Sequence, residues 1–277
     1  MLKKILKYDL RAVYKYWWIG AVASFALSIL GCFGLNFINS EKEIPFAIEI
    51  FSTIALVLTI LGYVAFIFLA QILVFVRYYK NFYSDEGYLT FTLPVKRISL
   101  FNSKLIMGSV TIISTFLFCL LSAGVMLLIA FRKDIFTKET YDAIVEMINE
   151  IFVTKADIIT FIVFVLEILF AVLLVVVLST MFMYLCISVG AMISKKAKVA
   201  SAIAVYYGAN SIVSFLLTMF SIFVTTAFSN WTYDLSEDKY YLLTCLLPLI
   251  LILFISTICI ALYAVHYKLL DKKLNLS

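Results

Sequence analysis

The sequence predicts an all-α, polytopic integral membrane protein with six transmembrane helices. Of its 277 residues, 64% are hydrophobic and only 14% are charged, and the mean hydropathy is +1.08. A soluble globular protein is closer to half apolar and a quarter charged, so the excess apolar surface requires a bilayer around it. Backbone groups in hydrocarbon must pair within their own segment, and the alternation typical of a membrane barrel is absent. The apolar runs are therefore predicted to be helices.

Six apolar runs are each long enough to cross the hydrocarbon core, which takes a helix of about 20 residues. They cover residues 17–38, 51–76, 105–130, 158–193, 199–228 and 242–265. The fourth and fifth runs are longer than this minimum, so we expect them to tilt or to protrude from the bilayer. No linker or soluble domain interrupts the runs, and residues 1–277 are predicted to form a single transmembrane domain.

The basic residues predict that both termini are cytoplasmic. Sixteen of the 22 lysines and arginines fall in the two terminal segments and in the loops after the second and fourth runs. Cytoplasmic loops carry such an excess of basic residues. The prediction is therefore a multi-pass protein of the cytoplasmic membrane with its N-terminus inside. Because the basic residues segregate by loop and do not cluster on one folded surface, we expect no nucleic-acid partner.

Residues 1–16 predict an amphipathic helix that lies on the inner membrane surface. Apolar and basic residues recur at helical spacing on neighbouring faces: Leu2, Leu6, Leu10 and Val13 on one, Lys3, Lys7, Arg11 and Lys15 on the other. Basic residues on such a face would meet anionic lipid headgroups. The alternative is the ordinary positive charge that flanks a first span.

Residues 77–104, between the second and third runs, form the largest predicted cytoplasmic loop, and the loop is unusually aromatic. Its aromatic side chains are Tyr78, Tyr79, Phe82, Tyr83, Tyr88 and Phe91. Exposing so much apolar area to water is unfavourable. We therefore expect the loop either to lie against the inner leaflet or to dock into a groove of a partner protein. Gly87 permits a turn, and Pro94 suits the start of the helix that enters the third run.

The string Asp85-Glu-Gly-Tyr-Leu-Thr-Phe-Thr-Leu-Pro94, with the N-terminal surface helix and the six-span layout, resembles the permease subunits of ABC transporters of the ABC-2 type, in particular their small bacterial members. The resemblance covers the whole chain in layout and residues 77–104 in motif. It implies that residues 77–104 couple the permease to a separate ATP-binding subunit. It also implies a second permease, either another copy or a homologous chain. The coupling residues would be Tyr79, Phe82, Tyr83, Asp85, Glu86, Gly87, Tyr88 and Pro94.

No motif predicts an enzyme or a cofactor site in this chain. The sequence has no GxxxxGK[ST], HExxH or GxSxG motif, so ATP and magnesium are expected on the partner ATPase. All five cysteines lie within apolar runs, where they act as small hydrophobes. The single histidine, His266, ends the last run. A metal site built from histidine and cysteine is therefore not expected.

Two further features could belong to a substrate pathway. Residues 132–157 predict an extracellular amphipathic helix, which would cap the pathway, bind a cationic peptide, or lie in the interface with a solvated acidic face. Glu167 is the one acid well inside an apolar run, roughly 14 Å from its start at about 1.5 Å per residue. It must face protein, face water or be protonated. Asn210 is its predicted partner, with Tyr207 as the alternative, and such a contact could equally fix helix packing.

These observations predict a permease subunit that exports a hydrophobic or amphipathic compound or peptide with the help of an ATP-binding partner. Two alternatives remain open. A non-transporting membrane immunity or sensor protein would need no ATPase, and an ion-coupled secondary transporter would use Glu167 as its proton carrier. An intramembrane enzyme would need paired catalytic groups at one depth, for which Glu167 and Asn210 give little support.

Overall fold

The computed structural model describes residues 2–38, 45–84, 87, 97–135, 137–152, 155–193, 197–232 and 237–272. The regular elements in these ranges are α-helices: α1 (Leu2–Ile38), α2 (Phe46–Tyr83), α3 (Arg97–Ala130), α4 (Arg132–Ile135), α5 (Lys138–Ile151), α6 (Lys155–Ile193), α7 (Lys198–Thr232) and α8 (Glu237–Lys272). Within the described residues, every helix except α4 and α5 is long and apolar enough to cross a membrane. The predicted all-helical, six-span, multi-pass membrane protein is confirmed at this level.

The long helices continue past the ends of the apolar runs. The predicted surface helix at residues 1–16 is not a separate element, because α1 is continuous from Leu2 to Ile38. The predicted loop 77–104 is helical at both ends, since α2 reaches Tyr83 and α3 begins at Arg97. These extensions contain neither glycine nor proline. Polar residues there end the hydrophobic run, but they do not stop the helix.

Contacts divide the chain, predicted as a single domain, into two compact units. The first comprises Met1–Arg77 and Ile106–Val153, and the second comprises Tyr78–Leu105 and Thr154–Ser277. Helices α2 and α3 therefore contribute residues to both units. The end of α2 and the start of α3 belong with α6, α7 and α8.

The first unit is held together around a buried tryptophan on α1. The Trp17 ring packs against Phe66 of α2 and Phe118 of α3, at centroid distances of 5.4 and 5.7 Å. Its indole N–H donates a 2.8 Å hydrogen bond to Thr115 Oγ1 on α3. Burial of a large ring with its one polar atom satisfied is strongly favourable. A Cβ on Gly34 of α1 would lie only 2.8 Å from a backbone oxygen of α2, so a small residue is required there.

In the second unit, α6 packs against both α7 and α8. Helices α6 and α7 approach each other closely where Gly190 faces Ala202. A Cβ on Gly190 would lie 2.3 Å from Ala202 Cα. Beside this contact, the Ser201 hydroxyl donates a 2.6 Å hydrogen bond to the Gly190 carbonyl. Small residues at such a crossing let two membrane helices pack backbone to backbone.

Helix α5 lies within residues 132–157, the segment whose sequence predicts an amphipathic helix. Thr137 caps it, and its Oγ1 accepts a 3.2 Å hydrogen bond from the backbone N–H of Thr140. The apolar side chains of Tyr141, Ile144 and Ile148 are all exposed. An uncovered apolar face beside an acidic one is the pattern of a helix that lies in the membrane interface.

Candidate functional site

A buried group of aromatic and polar side chains surrounds Tyr78 in the second unit. We call it the Tyr78 cluster; its members are Tyr78, Phe82, Phe101, Tyr184, Ser188 and His266. Each member exposes 1% or less of its surface. They come from the end of α2, the start of α3, α6 and α8. Four helices thus meet at one buried point.

The rings of the cluster are in close contact. The Tyr78 ring lies flat on Tyr184, with 3.9 Å between centroids and 9° between planes. Phe82 stacks on Tyr78 at 4.9 Å. Phe101 contacts the His266 ring at 4.5 Å. Aromatic pairs of this kind contribute about 0.5–1.5 kcal/mol each beyond the area that they bury.

The Tyr78 hydroxyl is the polar centre of the cluster. It lies 2.7 Å from His266 Nε2 and 3.4 Å from Ser188 Oγ. The tautomer of His266 decides whether the phenol or the imidazole donates. The other ring nitrogen, Nδ1, is buried and has no hydrogen-bond partner among the described residues. Because an unsatisfied buried polar atom costs about 1–3 kcal/mol, stability alone does not explain an imidazole here.

Two further hydrogen bonds attach the start of α3 to the same helices that hold Tyr78. The Tyr184 hydroxyl on α6 donates to the backbone carbonyl of Lys104 at 2.9 Å. The Tyr263 hydroxyl on α8 donates to Asn102 Oδ1 at 2.9 Å. Within the second unit, the end of α2 and the start of α3 are therefore both attached to α6 and α8.

The structure separates the predicted coupling residues into two groups. Phe82 is fully buried in the Tyr78 cluster, and Tyr79 is half-buried. Tyr83 is also half-buried, but it borders the cluster: its ring lies 6.3 Å from the rings of both Tyr78 and Tyr79, and its hydroxyl interacts with Tyr78 and Ser188. The backbone N–H of Gly87 donates a 2.8 Å hydrogen bond to the Ser84 carbonyl. The remaining predicted residues lie outside the described residues: Asp85, Glu86, Tyr88 and Pro94.

The burial of Tyr78 and Phe82 contradicts one prediction made from the sequence. The aromatic side chains of residues 77–104 were expected to contact lipid or a partner protein, but these two are buried within their own chain. Sequence reasoning missed Tyr184, Ser188 and His266 as their neighbours. Each is a polar residue within or at the end of an apolar run, and a polar residue in that position indicates a buried contact. The sequence does not show which helix faces meet, so the contact partners could not be predicted.

The predicted pathway residues do not come together. Glu167 is half-buried on α6, and its Oε2 atom is buried without a hydrogen-bond partner among the described residues. On α7, Tyr207 is 56% exposed and Asn210 is exposed. The predicted hydrogen bond from Glu167 to either residue is not formed in the described part of the chain. The α7 side chains from Ser211 to Leu216 are exposed on every side, so α7 is not packed at this level.

The first unit contains a cavity of about 240 Å³ between α1 and α3. Most of its lining is apolar, including Phe25, Phe33 and Met126. Its polar lining residues, Ser28, Asn36 and Ser122, donate to backbone carbonyls of their own helices. The cavity therefore offers hydrocarbon surface and no free hydrogen-bond donor from these three side chains.

No group of three or more histidine, cysteine, aspartate or glutamate side chains in the described ranges is placed to hold a metal ion. No family model, curated protein or solved structure matches the chain. Function is therefore inferred from the chemistry of the residues, and the Tyr78 cluster is the best-defined site.

Proposed function

We propose that the chain is the membrane-spanning permease subunit of an ATP-driven ABC transporter of the ABC-2 type, and that it exports a hydrophobic or amphipathic compound or peptide. The observation that carries the proposal is the attachment of the end of α2, at Tyr78, and of the start of α3, at Lys104, to α6 and α8. A segment that relays movement from an ATPase must be fastened to the spans that it moves. A segment without such contacts would shift alone.

In this proposal both termini are cytoplasmic, as the distribution of basic residues favours. An ATP-binding subunit, which carries the ATP and magnesium, contacts the half-buried Tyr79 and Tyr83 and the acidic pair Asp85 and Glu86. Because Phe82 is buried, it supports this contact from within the Tyr78 cluster. A second permease, identical or homologous, completes the transporter.

Purification of the tagged chain from its native membrane should bring an ATP-binding subunit with it. Replacing both Asp85 and Glu86 with lysine, or Tyr83 with alanine, should lower the recovered ATPase at least tenfold, because loss of a hot-spot contact in an interface costs about 2 kcal/mol or more. The recovered ATPase is quantified by immunoblot or mass spectrometry against the amount of tagged chain.

A matched pair of acidic residues controls for the loss of negative charge. Asp142 and Glu146 are exposed on α5, in a segment predicted to face outside. Replacing both with lysine should leave ATPase recovery unchanged. If no ATPase accompanies the wild-type chain, the permease proposal fails. If recovery survives the changes at Asp85, Glu86 and Tyr83, the docking role of residues 77–104 fails.

An ion-coupled secondary transporter is the second candidate function. It is favoured by the buried Oε2 of Glu167, which has no hydrogen-bond partner in the part of the chain that the structure describes. Ionisable residues within membrane-spanning helices are rare, and they mark ion pathways and proton relays. In sealed vesicles without ATP, an imposed proton gradient would then drive transport, and Glu167→Gln would abolish it. Transport that needs ATP and survives Glu167→Gln would exclude this candidate.

A further inference from the structure

The buried hydroxyl of Tyr78 joins three helices at one point. It lies 2.7 Å from His266 Nε2 on α8 and 3.4 Å from Ser188 Oγ on α6, and its ring is stacked on Tyr184 of α6. Aromatic pairs are favourable in several offset and tilted arrangements, whereas a short buried hydrogen bond is directional. The Tyr78–His266 bond therefore sets the position of α2's end against α8.

Packing alone does not account for this pair. The His266 side chain is 1% exposed, and its Nδ1 atom has no hydrogen-bond partner among the described residues. A phenylalanine would fill a similar space on α8 without burying an unpaired nitrogen. The imidazole contributes what an apolar ring cannot, which is a fixed polar contact with Tyr78.

The start of α3 is held by the same two helices. Tyr184 of α6 donates to the Lys104 carbonyl, and Tyr263 of α8 donates to Asn102. A displacement of the end of α2 together with the start of α3 would consequently be passed to α6 and α8. Helix α7 would follow α6, because Gly190 and Ala202 are in backbone contact.

We propose that His266 and Tyr78 are positioning residues whose hydrogen bond converts movement of the end of α2 and the start of α3 into movement of α6 and α8. This inference rests on the proposed permease function. It assigns to His266, the one histidine of the chain, a role in coupling that is separate from substrate binding and from contact with the ATPase.

The test uses the full complex of the chain with its ATP-binding subunit in liposomes, with ATP hydrolysis and substrate transport measured separately. Tyr78→Phe and His266→Phe each remove one side of the hydrogen bond while keeping a ring of similar size. Each should lower the amount transported per ATP hydrolysed by about tenfold, the effect expected when one buried hydrogen bond is lost from the moving state. ATPase recovery should stay at the wild-type level. The double variant should be no worse than either single variant, because the bond is lost only once.

Two further variants separate coupling from simple structural damage. His266→Gln can keep a nitrogen near the Nε2 position and should restore most of the transport per ATP. Tyr63→Phe removes a different tyrosine hydroxyl, which forms a 2.8 Å hydrogen bond to Ser28 in the first unit, and should not change this ratio. If Tyr78→Phe and His266→Phe keep the wild-type ratio, or change it no more than Tyr63→Phe does, the positioning role is wrong. If the wild-type chain forms no complex with an ATPase, the permease function itself is wrong.

Discussion

Replacing Arg77 with alanine should destabilise the protein by about 3 kcal/mol or more. Arg77 on α2 donates from Nε and Nη2 to Asp9 Oδ1 on α1, at 3.1 and 3.0 Å. The Asp9 side chain is only 3% exposed, and that of Arg77 is 27% exposed. Removing one partner of a buried ion pair leaves the other charge without its compensation, which typically costs about 3–5 kcal/mol. In a chain of this size the unfolding midpoint in detergent should fall by roughly 6–12 °C.

A double-mutant cycle distinguishes this explanation from general damage to α2. Asp9→Ala combined with Arg77→Ala removes both charges, so the double variant should be more stable than Arg77→Ala alone. Arg77→Lys keeps the charge but loses the two-point contact to Asp9 Oδ1, and it should fall between wild type and Arg77→Ala. If the stability loss of the double variant equals the sum of the losses from Asp9→Ala and Arg77→Ala, the two residues are not coupled.

Replacing Gly190 with alanine should cost about 3 kcal/mol, near the upper end of the range for overpacked sites. The new Cβ would lie 2.3 Å from Ala202 Cα and 2.5 Å from Ala202 N. Both obstacles are backbone atoms, so no side-chain rotation relieves the overlap, and α6 and α7 must separate. Separation also weakens the 2.6 Å hydrogen bond from Ser201 to the Gly190 carbonyl. Thermal unfolding in detergent should show a lowered midpoint.

Gly208 on α7 provides the matched control. A Cβ at this position would meet nothing within 4 Å. Gly208→Ala should therefore leave the midpoint unchanged or raise it slightly, since alanine is the better helix former by about 1 kcal/mol in water. Similar losses from Gly190→Ala and Gly208→Ala would mean that loss of glycine itself, and not the close approach of α6 and α7, is responsible.

The sequence predicted the number and type of the helices because apolar run length is a local property. Each run of about 20 apolar residues leaves the backbone no alternative to a helix in hydrocarbon. Helix ends were predicted less well. Polar residues after Val76 and before Leu105 mark where the apolar run ends, yet the helices extend to Tyr83 and back to Arg97 because nothing in those stretches breaks them.

The candidate site could be predicted only in part, because its members are far apart in the sequence. The aromatic character of residues 77–104 was visible in the sequence. The pairing of Tyr78 with His266 joins residues of α2 and α8, and it depends on which helix faces meet. Periodicity carries no such information for helices that are apolar all round, as α6 and α8 are. Glu167 shows the same limit: its place within an apolar run can be read from the sequence, but its neighbours cannot.

The helical extensions of α2 and α3 affect how a partner would recognise this chain. Residues up to Tyr83 and from Arg97 onward already have helical backbone. Ordering one residue costs about 1–2 kcal/mol of conformational entropy, and a preorganised surface avoids that cost on association. Binding of a partner at these positions should therefore require little additional ordering of this chain's backbone. Its heat-capacity change should be smaller than that of a partner that folds as it binds.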